Sequence, residues 1–360
     1  MPGRKIFTPT HPEVKLAKAL YAEIGTKAGV ALKMGISKSK CNRLFEAAKG
    51  EEKSETENII FPSFPNEELS AEETLDYMEK SFEKKKARQE AQSWFEVKMP
   101  TDDVIGLAAV GDPHIGSNQC NVSRLRTDID IMKEYAVDSN GKPMLVALNC
   151  GDTVDNWAGY SRLMSLYSEN DVSRQTERRL ARWFLKDSGI RWLVWLFGNH
   201  CLMDREFSTY LKTINGSSLP MVDWEARFQL VFPNKERVRV DLSHSHKGSS
   251  IYNRLHGSMR RALWHENADI YITGHLHNWA IQNQEMDDGR VITMARARGY
   301  KWQGEYEIVH GFHNDQFGAT ILFVIDPRSP TPVGRVQTFA DLQTGAEYLK
   351  WLREKRNKEK

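Results

Sequence analysis

The sequence predicts an α/β fold in which buried strands alternate with covering helices. Five apolar stretches have the length of buried strands: 104–110, 144–148, 192–197, 238–242 and 269–273. Each of them ends in a short polar patch. Helical patterns lie among them at residues 122–136, 174–187 and 251–266. Strand, patch and helix in repetition are typical of parallel strands joined by crossover helices.

The chain divides into four predicted parts. We expect a basic helical domain at residues 1–50, a linker and charged helix at 51–100, the α/β domain at 101–340 and a basic helix at 341–360. Pro62 and Pro65 predict the linker because closely spaced prolines interrupt any helix. Apolar stretches at 291–295 and 320–325 would complete the sheets.

The basic domain is organised as three predicted helices. Residues 1–50 hold ten Lys or Arg against three Glu, a balance that favours a phosphate backbone as partner. Helices are expected at 13–24, 26–34 and from Ser37, as the N-cap, to Ala48. This pattern resembles helix-turn-helix DNA-binding modules, whose third helix would here present Lys38, Lys40, Asn42 and Arg43. A basic bundle that packs on the rest of the protein is the alternative.

Composition is that of an intracellular protein. The net charge is only +2, and four dispersed cysteines (Cys41, Cys120, Cys150 and Cys201) do not resemble a disulfide framework. No run approaches the ~20 apolar residues of a membrane span. We therefore expect a cytoplasmic protein without a membrane partner, and its layout is typical of a phage or prophage replication or repair protein in the host cytoplasm.

The polar patches carry the chemistry. In chain order they are Asp112-Pro113-His114, Gly151-Asp152-Thr153-Val154-Asp155, Gly198-Asn199-His200, His244-Ser245-His246 and Gly274-His275-Leu276-His277. Sites in α/β proteins gather at such strand ends. Carboxylate, amide and imidazole groups suit two divalent cations, which together bind a phosphoryl oxygen and acidify a water. The patches therefore predict a two-metal phosphoesterase site, with Asp152 as the carboxylate shared by both cations.

This order of patches resembles the calcineurin-like metallophosphoesterase superfamily, which includes the Mre11/SbcD nucleases, over residues 104–280. The resemblance implies a four-layer α/β/β/α sandwich in which two sheets face each other. It implies His200 as the catalytic residue, an imidazolium that donates a proton to the leaving oxygen. It also implies the ligands: Asp112, His114, Asp152 and His277 for the first cation, and Asp152, Asn199, His244 and His275 for the second.

Three positions near the site leave alternatives open. Superfamily members usually have an acid where this chain has Cys201, so Asp204 could instead support His200. His244 is favoured over His246 as the ligand because it comes first after the strand, and His246 could touch the substrate. Asp155 is expected to support the site from behind by accepting from a ligand imidazole.

Other polar and aromatic residues are predicted to have ordinary roles. We favour an exposed loop over phosphate binding for Arg296, Arg298, Lys301 and Trp302. Core packing is favoured over base stacking for the tryptophans, which are Trp183, Trp192, Trp195, Trp224, Trp264 and Trp279.

Three functions fit these observations. The first is a metal-dependent phosphodiesterase acting on DNA as a nuclease, because a helix-turn-helix-like segment precedes a complete ligand set. The second is a phosphoesterase for small nucleotides or phosphoproteins, and the third a non-catalytic DNA-associated subunit. Manganese is the expected metal, with iron or zinc as alternatives. A homodimer is a further expectation from the nuclease branch.

Overall fold

The computed structural model describes residues 7–8, 10–49, 70–91, 94–156, 170–264, 267–302 and 315–358. The predicted linker with Pro62 and Pro65 lies outside these residues. The chain divides into two compact units, Met1–Asp76 and Tyr77–Lys360. In the described part of the chain, no helix has the length and apolarity needed to cross a membrane.

The first unit contains three short helices close to their predicted bounds, α1 (Pro12–Ile24), α2 (Lys27–Lys33) and α3 (Lys38–Ala48). Gly25 ends α1 with a left-handed φ of 71°, and the Ser37 side chain caps α3 by accepting from the amide of Lys40. A small shared core holds them together, formed by Val14, Ala17, Val30, Ala31, Cys41, Leu44 and Ala48. Helix α4 (Ala71–Ala91) follows.

The second unit contains two six-stranded sheets among its described residues. The first sheet has the order β1-β6-β7-β8-β10-β9 and the second β12-β11-β2-β3-β4-β5. The strands are β1 (Phe95–Lys98), β2 (Ile105–Val110), β3 (Leu145–Asn149), β4 (Trp192–Phe197), β5 (Met221–Asp223), β6 (Glu225–Val231), β7 (Arg237–Ser243), β8 (Ile270–Thr273), β9 (Ala280–Glu285), β10 (Val291–Arg296), β11 (Thr320–Ile325) and β12 (Val336–Phe339).

Helices connect the strands of both sheets along the chain. They are α5 (Val122–Glu134), α6 (Arg174–Lys186), α7 (Asn199–Met203), α8 (Arg205–Asn215), α9 (His256–Trp264), α10 (Pro332–Arg335) and α11 (Leu342–Lys358). The helix expected at 251–266 therefore begins later, at His256.

Three apolar layers fix the stacking order. Alternate residues of β2 and β7, such as Leu107 and Val240, meet in a core between the two sheets. The other face of the second sheet packs on α5, α6, α8 and α11, while α9 packs on the first sheet. The α/β/β/α sandwich is thereby confirmed.

Strand direction brings the polar patches together. In the second sheet β2, β3, β4 and β5 are parallel, and in the first sheet β7 and β8 are parallel. The carboxyl ends of parallel strands meet at one edge of a sheet. The patches after β2, β3 and β4 therefore share an edge of the second sheet, and those after β7 and β8 share an edge of the first. Between β5 and β6 the chain crosses from one sheet to the other through a single residue, Trp224.

Candidate metal centre

The loops that carry the patches bond directly to one another. The amide of His114 donates to the carbonyl of Asp152 at 3.0 Å, and the amide of His275 donates to Asp112 Oδ2 at 2.5 Å. Four of the predicted ligands have left-handed backbone, with φ values of 45° at His114, 32° at Asp152, 71° at His275 and 48° at His277. Such backbone costs on the order of 1 kcal/mol or more per residue, and it concentrates at functional sites.

The predicted ligands of the second cation surround the ring of His244. His244 Nε2 lies 2.9 Å from Asn199 Oδ1, 3.1 Å from Asp152 Oδ2 and 3.1 Å from His275 Nδ1. Donors that bind one cation at right angles, each about 2.1 Å away, are about 3 Å from each other. His244 Nδ1 donates to the carbonyl of Cys150, which leaves Nε2 free to bind metal. The four side chains therefore fit one cation.

The first predicted set is built around His114 and His277. Their Nε2 atoms are 3.1 Å apart, and His277 Nε2 is 3.8 Å from Asp112 Oδ2. Among the described residues, Asp112 Oδ1 is a buried oxygen without a hydrogen-bond partner. A cation would satisfy it, so these residues also fit a metal ion. The contact between Asp152 Oδ2 and His244 ties Asp152 to the second set, and its sharing between both cations stays a prediction.

Asp155 forms hydrogen bonds to three residues at the centre. Its Oδ1 accepts from His114 Nδ1 at 2.8 Å and from Lys301 Nζ at 3.1 Å, and its backbone carbonyl accepts from His200 Nδ1. The first bond fixes the His114 tautomer with Nε2 towards the cation. Although burial opposes ionisation, the hydrogen bond and charge of His114 and the charge of Lys301 hold the pKa of Asp155 well below its usual range.

Burial keeps most of the predicted ligand imidazoles neutral, the form that binds metal. It lowers the pKa of His114, lowers that of His275 to about 4 and lowers that of His277 well below its usual value. His244 differs: although burial acts against it, the charges of Asp152 and Asp112 raise its pKa to about 9. A cation at this position therefore has to displace a proton.

Among the carboxylates of the centre, Asp112 has a raised pKa. Burial raises its pKa to about 7, and the charge of the neighbouring Asp152 adds to this effect. The positive charge of His244 offsets part of the cost of burying these two carboxylates, and a divalent cation that displaces the His244 proton would compensate them more fully.

Asp204 and Cys201 each make specific contacts in the structure. Asp204 pairs with Arg174 and Arg178 and caps α8 by accepting from the amide of Glu206, a different role from supporting His200. The Cys201 thiol lies in the core and accepts from the amide of Thr153 at 3.2 Å. The His200 ring itself donates from Nδ1 to the carbonyl of Asp155.

His246 is turned away from the predicted ligand set. Its Nδ1 lies 3.0 Å from Ser258 Oγ and its Nε2 lies 3.1 Å from Asp241 Oδ1, so both ring nitrogens are engaged and buried. Substrate contact by His246 finds no support in these bonds. The histidine with an available nitrogen among the other donors is His244.

Two glycines of the patches are required by close approach of the ligands. A Cβ at Gly198 would lie 2.3 Å from Asp152 Oδ1 and 2.6 Å from His244 Cε1. A Cβ at Gly151 would lie 2.3 Å from His244 Nδ1. The glycine of one patch therefore makes room for the ligand of another.

Some residues near the centre were assigned other places from sequence. The prediction that Arg296, Arg298 and Lys301 are exposed is wrong, because all three side chains are buried. Lys301 also contacts Asp155. Trp224 was assigned to the core, yet 51% of it is exposed. Its ring centroid lies 6.4 Å from that of His244. A signal was available, since a tryptophan between Asp223 and Glu225 has charged neighbours on both sides.

Comparison with known proteins gives distant similarities. No family model matches the chain, and no curated protein matches it in sequence. Similar solved structures include the 5'-nucleotidase precursor from Thermus thermophilus, with 11% identity and a TM-score of 0.33 over 70% of this chain and 59% of that one. Another is the 5'-nucleotidase from Candida albicans, with 14% identity and a TM-score of 0.34 over 73% and 58%. The chain thus spans less than two thirds of either protein, and scores of this size leave the function to be inferred from the site.

Proposed function

We propose that this protein is a metal-dependent phosphoesterase of the calcineurin-like metallophosphoesterase superfamily. One observation carries the proposal: four donors from four different patches, on Asp152, Asn199, His244 and His275, meet with spacings of 2.9–3.1 Å around His244 Nε2. Beside them, His114 and His277 converge with Asp112 in the same way. Divalent cations held there would supply Lewis acidity towards a phosphoryl oxygen and a more acidic water.

The protein's own contribution includes a placed proton donor. His200 Nδ1 donates to the carbonyl of Asp155, so the other ring nitrogen, Nε2, faces the centre, 4.0 Å from Asp152 Oδ2. In its imidazolium form His200 would release the Nε2 proton to the leaving oxygen of the ester. The amide of His200 also donates to Asp152 Oδ1 at 2.9 Å, which orients that carboxylate.

We further propose that the substrate is a phosphodiester of DNA. Support comes from α3, where Lys38, Asn42 and Arg43 all lie on the exposed face of a helix in the basic amino-terminal segment. Lys40 is less available, because it pairs with Glu13 at 2.9 Å. Basic and amide side chains on one exposed helix face suit the phosphates and base edges of DNA. Manganese as the metal and a homodimer as the assembly remain predictions.

The test is hydrolysis by the purified protein reconstituted with manganese, iron or zinc. We expect cleavage of bis(para-nitrophenyl) phosphate and release of nucleotides from linear or single-stranded DNA. Asp152→Asn should abolish both reactions with loss of bound metal. His200→Ala should retain two metal ions per chain and lose turnover by about 10²–10⁴-fold.

Each of the other outcomes has a defined meaning. Cleavage of small nucleotides without cleavage of DNA would favour the second function predicted from the sequence. Failure to bind any of the three metals, with no hydrolysis of either substrate, would favour a non-catalytic subunit. Full activity in Asp152→Asn would contradict the proposed metal centre as the site of hydrolysis.

A further inference from the structure

Trp224 is attached by its backbone to two of the four segments that supply ligands to the second cation site. Its amide donates to the carbonyl of Phe197 at 3.1 Å, two residues before Asn199. Its carbonyl accepts from the amide of His244 at 2.8 Å. These two hydrogen bonds therefore hold the backbone of Trp224 in place next to the candidate centre.

The backbone conformation of Trp224 is explained by topology, whereas its side chain is not. The residue has a left-handed φ of 67°, which bulky residues rarely adopt, because the chain changes sheets there between β5 and β6. Glycine would make this crossing with less strain. The indole is retained although 51% of the residue is exposed, so core packing does not account for it.

The surroundings of the indole suit a planar, uncharged group next to a phosphate. Its ring centroid lies 6.4 Å from that of His244, with the planes inclined at 53°. The flanking carboxylates are neutralised, Asp223 by Lys212 at 2.7 Å and Glu225 by Arg261 at 2.9 Å. Neither neighbour therefore presents an unpaired negative charge to a phosphate at the centre.

We propose that Trp224 is a specificity-determining residue whose indole stacks on the nucleobase next to the scissile phosphate. This inference rests on the proposed phosphoesterase function. A nucleobase is joined to its phosphate through one sugar. The indole centroid lies 6.4 Å from the ring of His244, a predicted ligand of the second cation, so a base can reach the indole while its phosphate is at the centre. Stacking on an indole uses the face that every base shares, and it discriminates nucleotides from esters without a ring.

The experiment compares two diesters in the full-length, metal-loaded protein. One is a dinucleoside monophosphate, and the other is glycerophosphoglycerol, a diester with neither an aromatic nor a cationic group. Trp224→Ala should raise KM for the dinucleotide about tenfold, because the loss of one base stack typically costs about that factor. The KM for glycerophosphoglycerol and the metal content should stay unchanged. Trp224→Phe should give an intermediate KM.

Two further variants separate the ring from the backbone. Trp224→Gly relieves the strained conformation but lacks the ring, and we expect the same loss as in Trp224→Ala. Trp351→Ala removes a tryptophan of similar exposure, 53%, from α11 and should leave both KM values unchanged. An unchanged dinucleotide KM in Trp224→Ala, or an equal rise for both diesters, would overturn the inference.

Binding keeps the inference separate from the proposed activity. Calorimetric titration of the dinucleotide into the wild-type protein and into Trp224→Ala does not require turnover. If neither diester is hydrolysed, the phosphoesterase proposal fails, and weaker binding by the variant still supports the stacking role. Equal binding by the two proteins refutes that role.

Discussion

At the scale of single residues, Asp155 joins the most parts of the candidate centre. One side-chain oxygen serves His114 and Lys301, while its backbone carbonyl holds His200. A ligand of the first set and the proposed proton donor therefore depend on one residue that does not itself bind metal in the predicted scheme. Loss of its charge would leave Lys301 buried without this partner, a costly change.

We predict that Asp155→Asn weakens metal affinity about 10- to 100-fold, because a neutral amide oxygen replaces the charged acceptor that orients the His114 ring and raises its basicity. Competition with a chromogenic chelator measures this change. Asp130→Asn on the exposed face of α5 removes the same charge and should bind metal like the wild type. Unaltered affinity in Asp155→Asn would show that the His114 orientation has another origin.

Gly198 gives a second test at this scale. In Gly198→Ala the new methyl group would collide with Asp152 Oδ1 and with the His244 ring, so we expect loss of metal binding and of hydrolysis. Gly141→Ala is the control: a Cβ there meets open space, and although the φ of 74° strains an alanine, the position lies outside the candidate centre and should keep its metal. Metal content determined by mass spectrometry distinguishes the two. A fully loaded Gly198→Ala protein would mean that the ligands are arranged differently.

At the scale of elements, α6 carries a buried acid close to the centre. Glu177 on α6 packs against Gly116, and its Oε1 is a buried oxygen that lacks a hydrogen-bond partner among the described residues. Burial, helped by the charge of Asp155, raises the pKa of Glu177 to about 8. Between the ordinary pKa of a glutamate and this value, the folded protein keeps a proton that the unfolded chain releases.

The stability of the wild type should therefore fall as pH rises from about 4.5 to about 8 and then level off. Glu177→Gln removes this ionisation, so its melting temperature should equal that of the wild type near pH 5 and exceed it by about 5 °C at pH 8.5. Glu354→Gln, on the exposed face of α11, is the control. A melting-temperature difference independent of pH would contradict the raised pKa.

The elements also show what the sequence could predict. The long buried strands β2, β4 and β7 and helices α3, α5 and α6 were predicted because their apolar spacing is set by their own residues. The short strands β1, β5 and β12, with three or four residues each, have too few residues to show a period. Assignment of strands to two sheets depends on contacts far apart in sequence, and it came only from the family resemblance.

The residues of the candidate site could be named from the sequence, because their types are fixed by chemistry. Asp112, His114, Asn199 and His275 lie where the strand ends placed them. Lys301 and Trp224 were misassigned because their environment is created by other segments: Lys301 is buried against Asp155 from a distant patch. Trp224 lies at a crossing between sheets that no local pattern indicates.

At the scale of the whole molecule, the two compact units make separable predictions. Deletion of residues 1–50 removes α1, α2 and α3 and leaves both sheets intact, since β1 begins at Phe95. We expect unchanged hydrolysis of bis(para-nitrophenyl) phosphate. The affinity for DNA should fall by about tenfold or more, and it should depend less steeply on salt concentration.

Gel shifts at several salt concentrations measure the DNA affinity. Lys38→Glu/Arg43→Glu in the full chain should reproduce the loss, whereas Lys84→Glu on exposed α4 should not. DNA binding that survives the deletion would assign the nucleic-acid contact to the second unit.

The predicted donors of each cation come from both sheets of the sandwich. Asp112 and His114 follow β2 and meet His277 beyond β8, while Asp152 and Asn199 follow β3 and β4 and meet His244 and His275 beyond β7 and β8. Each bound ion would therefore cross-link the two sheets of the sandwich. Filling the centre would resist their separation during unfolding, so the catalytic ions would also be structural ones.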